Sequence, residues 1–466
     1  MKIPKVIELL ITASLVVTVG SGTLAQEENS ENVRAPMVVH DKNPYPSTYQ
    51  PWPSVMTAIS NVHILTGDGG EIENGTVVMD GGKIIAIGAN IEIPAAAEVI
   101  DGDGRWLTPG IVDMHSHLGG WTDGINEMQN PNTAEVWVEH SIWPQSPNYP
   151  TAIAAGVTTQ QTLPGSANQF GGRSVTLKMV PSRSTDGMKF PGAPYGLKMA
   201  CGENPRRAHG DSGGPMTSMG TFAAYRSAWI SAAEYKNAWE TYEADYNAGE
   251  DVQAPERDLQ LETLKGVLDG DININMHCYR ADEMLDVINM AEEFDYKITA
   301  FHHVIEGYKI ADILAENNIC SGMWADWWGF KREAFDGIDE NIPMVAAAGA
   351  CAVVHSDSDT GGQRLNQEAA KAWADGEKVG INFSRGEVFE WITLNPAKAI
   401  GLDDQIGSLE VGKNADVVIW NGDPLSVYAL ADQVFIDGAL HYDRSDNATY
   451  WITDHALGYT ERGDHQ

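Results

Sequence analysis

Basic residues are scarce in this chain. Its 466 residues carry 30 lysines and arginines against 65 aspartates and glutamates, a formal charge of −35. So acidic a surface repels phosphate backbones and anionic headgroups, which argues against nucleic acid or an anionic membrane surface as a partner. The acids are spread along the chain and not gathered in one tail, so they read as a solvated, self-repelling surface. Cysteine is scarce too. The four, at 201, 278, 320 and 351, stand singly in apolar runs, a spacing unlike a disulfide framework or a zinc knuckle. Buried thiols are the default expectation, and one disulfide stays open if the chain reaches an oxidising compartment. Beyond the first 25 residues no apolar run is long enough for a transmembrane helix.

That first stretch reads as a secretory signal. Lys2 and Lys5 give a positive start, residues 9–19 an apolar core, and Thr23-Leu-Ala25 a small-residue end. Gln26, not a cysteine, follows, so no lipid anchor is indicated. The expectation is an exported bacterial protein, periplasmic or secreted, without stable membrane insertion once residues 1–25 are removed.

Residues 26–53 are polar and proline-rich and read as a lead-in. Over 54–106 short alternating runs and the turn Asp80-Gly-Gly-Lys83 predict a small β lobe. From Leu107 the rhythm changes. Apolar runs at 111–115, 157–163, 175–179, 197–201, 272–278, 298–302, 318–323 and 351–356 alternate with helical patterns. Eight buried runs over 107–401 predict an α/β fold, a (β/α)₈ TIM-like barrel of parallel strands. A helical insertion at 221–267, with Trp229, Tyr235, Trp239 and Tyr242, is either a packed peripheral pair or a cap over the site. Residues 402–445 return to strand patterning. They are expected to rejoin the first lobe as a small β-sandwich domain built from both chain ends, leaving a tail at 446–466.

Several of these runs end in metal-competent residues. Leu107-Thr-Pro-Gly-Ile-Val-Asp-Met-His-Ser-His117 places His115 and His117 on one side of a strand end. Other runs end in Asn273-Ile-Asn-Met-His277, Ala300-Phe-His-His303 and Val354-His-Ser-Asp357. Barrel chemistry gathers at strand C-termini, and imidazoles with a carboxylate there suit one or two divalent ions, zinc first. Taken singly, any of these histidines is as well explained as a satisfied core residue.

The chain resembles the amidohydrolase superfamily, in particular its imidazolonepropionase-like and peptidase-like exported members. The resemblance rests on Pro109-Gly-Ile-Val-Asp-Met-His-Ser-His117, His355-Ser-Asp357, Thr393-Leu-Asn-Pro-Ala397 and Gly407-Ser-Leu-Glu-Val-Gly-Lys-Asn-Ala-Asp416. It implies that His115 and His117 bind the more buried metal and His277 and His303 a second. Asp357 would touch the first metal and the reactive water and act as proton shuttle, with His303 also helping to polarise the carbonyl. Many relatives bridge two metals through a carboxylated lysine or a glutamate. Leu197-Lys-Met-Ala-Cys-Gly202 nominates Lys198 for that role, Gly202-Glu-Asn-Pro-Arg206 makes Glu203 a rival, and Lys178 is a third candidate. His302 stands beside His303, which is preferred because Val304-Ile-Glu-Gly307 follows it as in relatives.

For the substrate, Tyr279 and His209 are candidates to polarise a carbonyl, and Arg206 with Arg207 to hold a carboxylate. The alternative for the arginines is a local salt bridge. Trp324, Trp327 and Trp328 would form an aromatic wall with Asp326 behind them, or simply pack. The expected function is metal-dependent hydrolysis of a C–N bond in a small molecule: a small peptide, an N-acyl amino acid or a cyclic amide. A metal-dependent deaminase and a non-catalytic metal-binding barrel are the alternatives. Relatives often pair, so a homo-oligomer is an open expectation.

Overall fold

A computed structural model describes residues 34–120 and 124–453. The expected signal segment and residues 454–466 of the tail lie outside the described residues. Five strands come first: β1 (Thr57–Leu65), β2 (Glu71–Asp80), β3 (Lys83–Gly88), β4 (Glu98–Asp101) and β5 (Trp106–Pro109). Eight follow: β6 (Ile111–Ser116), β7 (Val157–Thr162), β8 (Phe170–Lys178), β9 (Tyr195–Ala200), β10 (Ile272–Cys278), β11 (Ala300–His303), β12 (Cys320–Met323) and β13 (Ala352–Val354). Three close the described chain: β14 (Val417–Trp420), β15 (Ala431–Ile436) and β16 (Ala439–Asp443).

The strands form two sheets in a mixed α/β fold. One runs β16-β15-β14-β5-β1-β2-β3, with β4 added beside β1. Strands from both sides of the central segment thus meet where β14 pairs antiparallel with β5, Val417 opposite Pro109. The pairing gives one connected eight-stranded sheet drawn from both sides of the central segment.

The other sheet holds β6 to β13 in chain order. Its strands are buried on both faces, as the unbroken apolar runs predict. The expectation of parallel strands throughout is corrected at one place. β8 runs antiparallel to both β7 and β9, with Thr159 opposite Lys178 and Gly172 opposite Lys198. Only residues 163–169 separate β7 from β8, fewer than the dozen or so that a crossover between parallel strands takes, so β8 returns antiparallel to β7. The edge strands are held together by other bonds. Val112 N and Val354 N donate to Ile392 O and Trp391 O, both 2.9 Å. At the other end Asp357 N donates to His115 O at 2.8 Å.

The helical insertion forms a 31-residue helix, Ser218–Ala248, and a shorter one, Leu259–Leu268. The Thr217 hydroxyl caps the first helix at Gly220 N, and Gly249 ends it at φ +96°, a conformation that favours glycine. Tyr225, Trp229 and Ala232 recur at helical spacing and are buried. Tyr225 OH bonds Ala200 O, so the helix lies against the β9 end of the sheet.

All four cysteines are paired, which corrects the expectation of buried thiols. Cys201 joins Cys278 and Cys320 joins Cys351. Widely separated positions end on neighbouring strands, which bring the Cα atoms to 5.3 and 4.5 Å. Sequence spacing alone hides that proximity.

Candidate metal centre

The end of β6 delivers His115 and His117, and the turn after β13 delivers Asp357. Asp357 Oδ1 lies 3.0 Å from His115 Nε2 and 2.8 Å from His117 Nε2. Asp357 Oδ2 lies 3.8 Å from His303 Nδ1. His303 and His355 stand with His115 in a second buried group whose ring nitrogens are mutually close. His277 packs edge-on to His303, ring centroids 4.4 Å apart. The sheet therefore brings together His115, His117, His277, His303 and Asp357, all named from the sequence.

Lys198 joins them. Its Nζ lies 3.1 Å from His115 Nε2, and its side chain is buried. Burial pulls its pKa down to about 8, which leaves a neutral amine accessible near neutral pH. His115 Nε2 thus sits between a carboxylate oxygen and an amine. Protonated, it satisfies only the first; deprotonated, only the second.

The rivals are engaged by other charges. Lys178 is buried between Asp437, at 2.9 Å, and Asp416, at 3.7 Å. Glu203 faces Lys331 at 3.9 Å, and neither residue belongs to the imidazole groups. Each faces an opposite charge supplied by a distant part of the chain.

The donor set fits a divalent cation. Among the described residues, His115 Nδ1, both nitrogens of His277, and Nδ1 of His302, His303 and His355 are buried without a hydrogen bond. Burial holds the pKa values of His115, His277, His302 and His303 well below the ordinary value and that of His355 at about 4. Neutral imidazoles with free lone pairs are metal ligands. Burial pushes the Asp357 carboxyl up, but the imidazoles around it outweigh that, His115 and His117 by hydrogen bonds, and hold it well below the usual range.

Backbone strain marks the same place. His303, Val304 and Asp357 have φ of +79°, +42° and +46°, costly for residues with side chains and worst for a β-branched one. Asn341 braces this turn. Its Nδ2 donates to Val304 O at 2.8 Å, and its Oδ1 accepts from Tyr308 N at 2.9 Å. Asp113 braces the other side, accepting from Ser356 Oγ at 2.5 Å and His115 N at 3.2 Å. Sequence reasoning gave neither a role. Asp113 lies inside the His115 motif and was findable; Asn341 carries no sequence signal.

His302 points to Asn275, Nε2 to Oδ1 3.0 Å, leaving His303 as the residue facing Asp357. Tyr279 lies beside both His277 and His303, with ring centroids 4.9 and 5.0 Å away. Lys331 Nζ stands 3.7 Å above the Tyr279 ring. Trp324 stacks on His303 at 4.4 Å, and Trp327, half exposed, stacks on Trp324 at 5.1 Å.

Other expected substrate residues are committed elsewhere. Arg206 pairs with Glu283 at 3.1 Å and Glu333 at 3.3 Å, the salt-bridge alternative to a carboxylate clamp. His209 Nε2 bonds Asn168 Oδ1 at 2.7 Å. Asp326 pairs with Lys371 at the surface, 2.9 Å.

The Amidohydrolase family model matches residues 106–441. This chain belongs to the amidohydrolase family. It is similar to a solved amidohydrolase from Thermotoga maritima MSB8, 32% identical, with a TM-score of 0.75 over 83% of this chain and 100% of that one. Amidohydrolase tasK of Hapsidospora irregularis is 30% identical over 400 residues, 79% of this chain and 40% of that protein. The chain thus spans about two fifths of that relative's length. A 5-methylthioadenosine/S-adenosylhomocysteine deaminase of Desulforudis audaxviator (strain MP104C) is 25% identical over 403 residues, 78% of this chain and 84% of that one. The family makes this protein a hydrolytic enzyme acting on C–N bonds, and members of the family use divalent metals.

Proposed function

We propose that this enzyme hydrolyses an amide bond in a small peptide, an N-acyl amino acid or a cyclic amide, with Asp357 as proton shuttle. One observation carries the proposal: Asp357, an anion in a strained turn, has one oxygen within 3.0 Å of both His115 and His117. His115, His117 and Asp357 would hold one divalent ion, zinc first, and His277 and His303 a second. Lys198 would lie between them, carboxylated when its neutral amine adds to carbon dioxide and loses a proton. Bound there, a divalent ion lowers the pKa of water towards neutrality and polarises the carbonyl it faces.

The chain's own residues do the rest. Asp357 accepts the proton of the attacking water and returns it to the departing nitrogen. Asp113 and the bond from Asp357 N to His115 O hold that carboxylate in place. Tyr279, beside His277 and His303, would contact the scissile group. Trp324 and Trp327 would wall the substrate side. Export to an oxidising compartment is part of the proposal, supported by the two cysteine pairings.

The deaminase relative supports a second reading in which the leaving nitrogen is ammonia. Turnover of zinc-loaded protein on dipeptides, N-acyl amino acids, cyclic amides and aminopurines separates the two. Amine or carboxylate products without free ammonia are expected. Ammonia release from aminopurines alone would replace the amide reading with deamination.

A further inference from the structure

A cavity of about 1160 Å³ lies on the helix side of β8. None of His115, His117, Lys198, His277, His303 or Asp357 lines it. Its walls carry Tyr45, Trp137, Tyr195, Tyr235, Trp239 and Tyr242, drawn from the lead-in, the β8–β9 side and the long helix. Among the charged side chains lining it, Arg173 alone is buried, at 7% exposure; the acids lie at exposed or half-exposed positions.

Arg173 is a buried cation. Among the described residues no carboxylate oxygen lies within 4.0 Å of it. The nearest acids are engaged: Glu262 by Arg257 at 2.7 Å and Glu139 by Lys189 at 2.7 Å. Its Nε donates to Thr263 Oγ1 at 2.9 Å, and its guanidinium carbon stands 4.2 Å over the Trp137 ring. Stacking occupies the face of a guanidinium and leaves its N–H edge, the edge that binds a carboxylate. A buried unpaired charge is costly, and a ligand anion supplies the missing partner.

We propose that this cavity is a second ligand site that takes a small molecule with a carboxylate head and a planar aromatic body, anchored by Arg173. The carboxylate meets the Arg173 edge, and the body lies among the Tyr45, Trp137, Tyr195 and Trp239 rings. β8 places Gly172 opposite Lys198 and Arg173 opposite Leu197, so successive residues face opposite sides of the sheet. The proposal is independent of the reaction assigned to the metal centre.

The test is isothermal titration of indole-3-acetate into the full chain, metal-loaded and metal-stripped, with its neutral alcohol analogue tryptophol as control. Saturable one-to-one binding that survives metal removal is expected. Arg173→Met and the change to tryptophol should each weaken it at least about tenfold, as loss of a charge-assisted hydrogen-bond pair implies. Thermal melting checks that Arg173→Met folds. Trp239→Ala, on the long helix, is a second variant and should weaken binding several-fold with melting preserved. No saturable binding, binding lost with the metal, or binding unchanged in Arg173→Met or Trp239→Ala would overturn the proposal.

Discussion

Lys178 and Lys198 are each 1% exposed, and β8 and β9 carry them in adjacent antiparallel strands. They do opposite things. Lys178 lies between Asp416 and Asp437, with the rings of Phe190 and Tyr49 beneath its Nζ at 4.7 and 5.5 Å. Tyr49 OH also donates to Asp437 at 2.5 Å. Lys178 thus ties the lead-in, the central sheet and the turn after β15 together. Among the described residues Lys198 has no carboxylate within 4.0 Å; its neighbour is the imidazole of His115, with Asp357 on the far side of that ring nitrogen. A buried lysine with two carboxylates is a structural ion, whereas one among neutral imidazoles is available for chemistry.

Replacing each lysine tests that contrast. Lys198→Ala should lower kcat/KM by about 10³-fold or more while leaving thermal stability nearly unchanged, since the proposed function places Lys198 between the two metals. A loss of activity explained by unfolding would break the comparison. Lys178→Met should do the reverse. It leaves two carboxylates buried without their cation, at a cost of about 3 kcal/mol in stability by denaturant titration. Turnover per folded molecule should be retained.

A pH series sharpens the structural half. Burial raises Asp416 from 3.8 to about 6 against the pull of Lys178. Its folded pKa therefore exceeds its unfolded one, and the folded state binds the extra proton. The resulting stabilisation is present in full below about pH 4 and is lost as pH rises through about 6. Removing Lys178 pushes Asp416 higher still, so the stability gap between wild type and Lys178→Met should widen from pH 5 to pH 8. A constant gap would mean that Lys178 acts by packing alone. The smallest effect is expected from Glu203→Gln. Among the described residues its one ion-pair contact is the long one to Lys331, so stability should change by less than about 0.5 kcal/mol and metal content not at all.

The same contrast explains how much was legible beforehand. His115, His117, His277, His303 and Asp357 were readable because each ends an apolar run, and strand ends are where a barrel gathers its chemistry. The two lysines also sit in apolar strands, and nothing local separates them. The partners that decide their roles, Asp416 and Asp437 for one and His115 for the other, come from remote segments. The direction of β8 was hidden because burial on both faces gives the same apolar run whether a strand is parallel or antiparallel. The cysteine pairs were hidden likewise, since neighbouring strands bring together residues 77 and 31 positions apart. Some of the most recognisable motif residues prove structural. Asp416 accepts from Asp437 N at 2.9 Å, and Asn395 Nδ2 donates to Ala352 O at 3.0 Å beneath β13.

Metal content per chain, measured by elemental analysis on wild type, Lys198→Ala and Lys178→Met purified side by side, addresses the contrast most directly. Lys178→Met is expected to hold the wild-type complement and Lys198→Ala to lose about half of it or more. A full complement in Lys198→Ala, or a loss in folded Lys178→Met, would contradict the assignment of Lys198 to the metal centre.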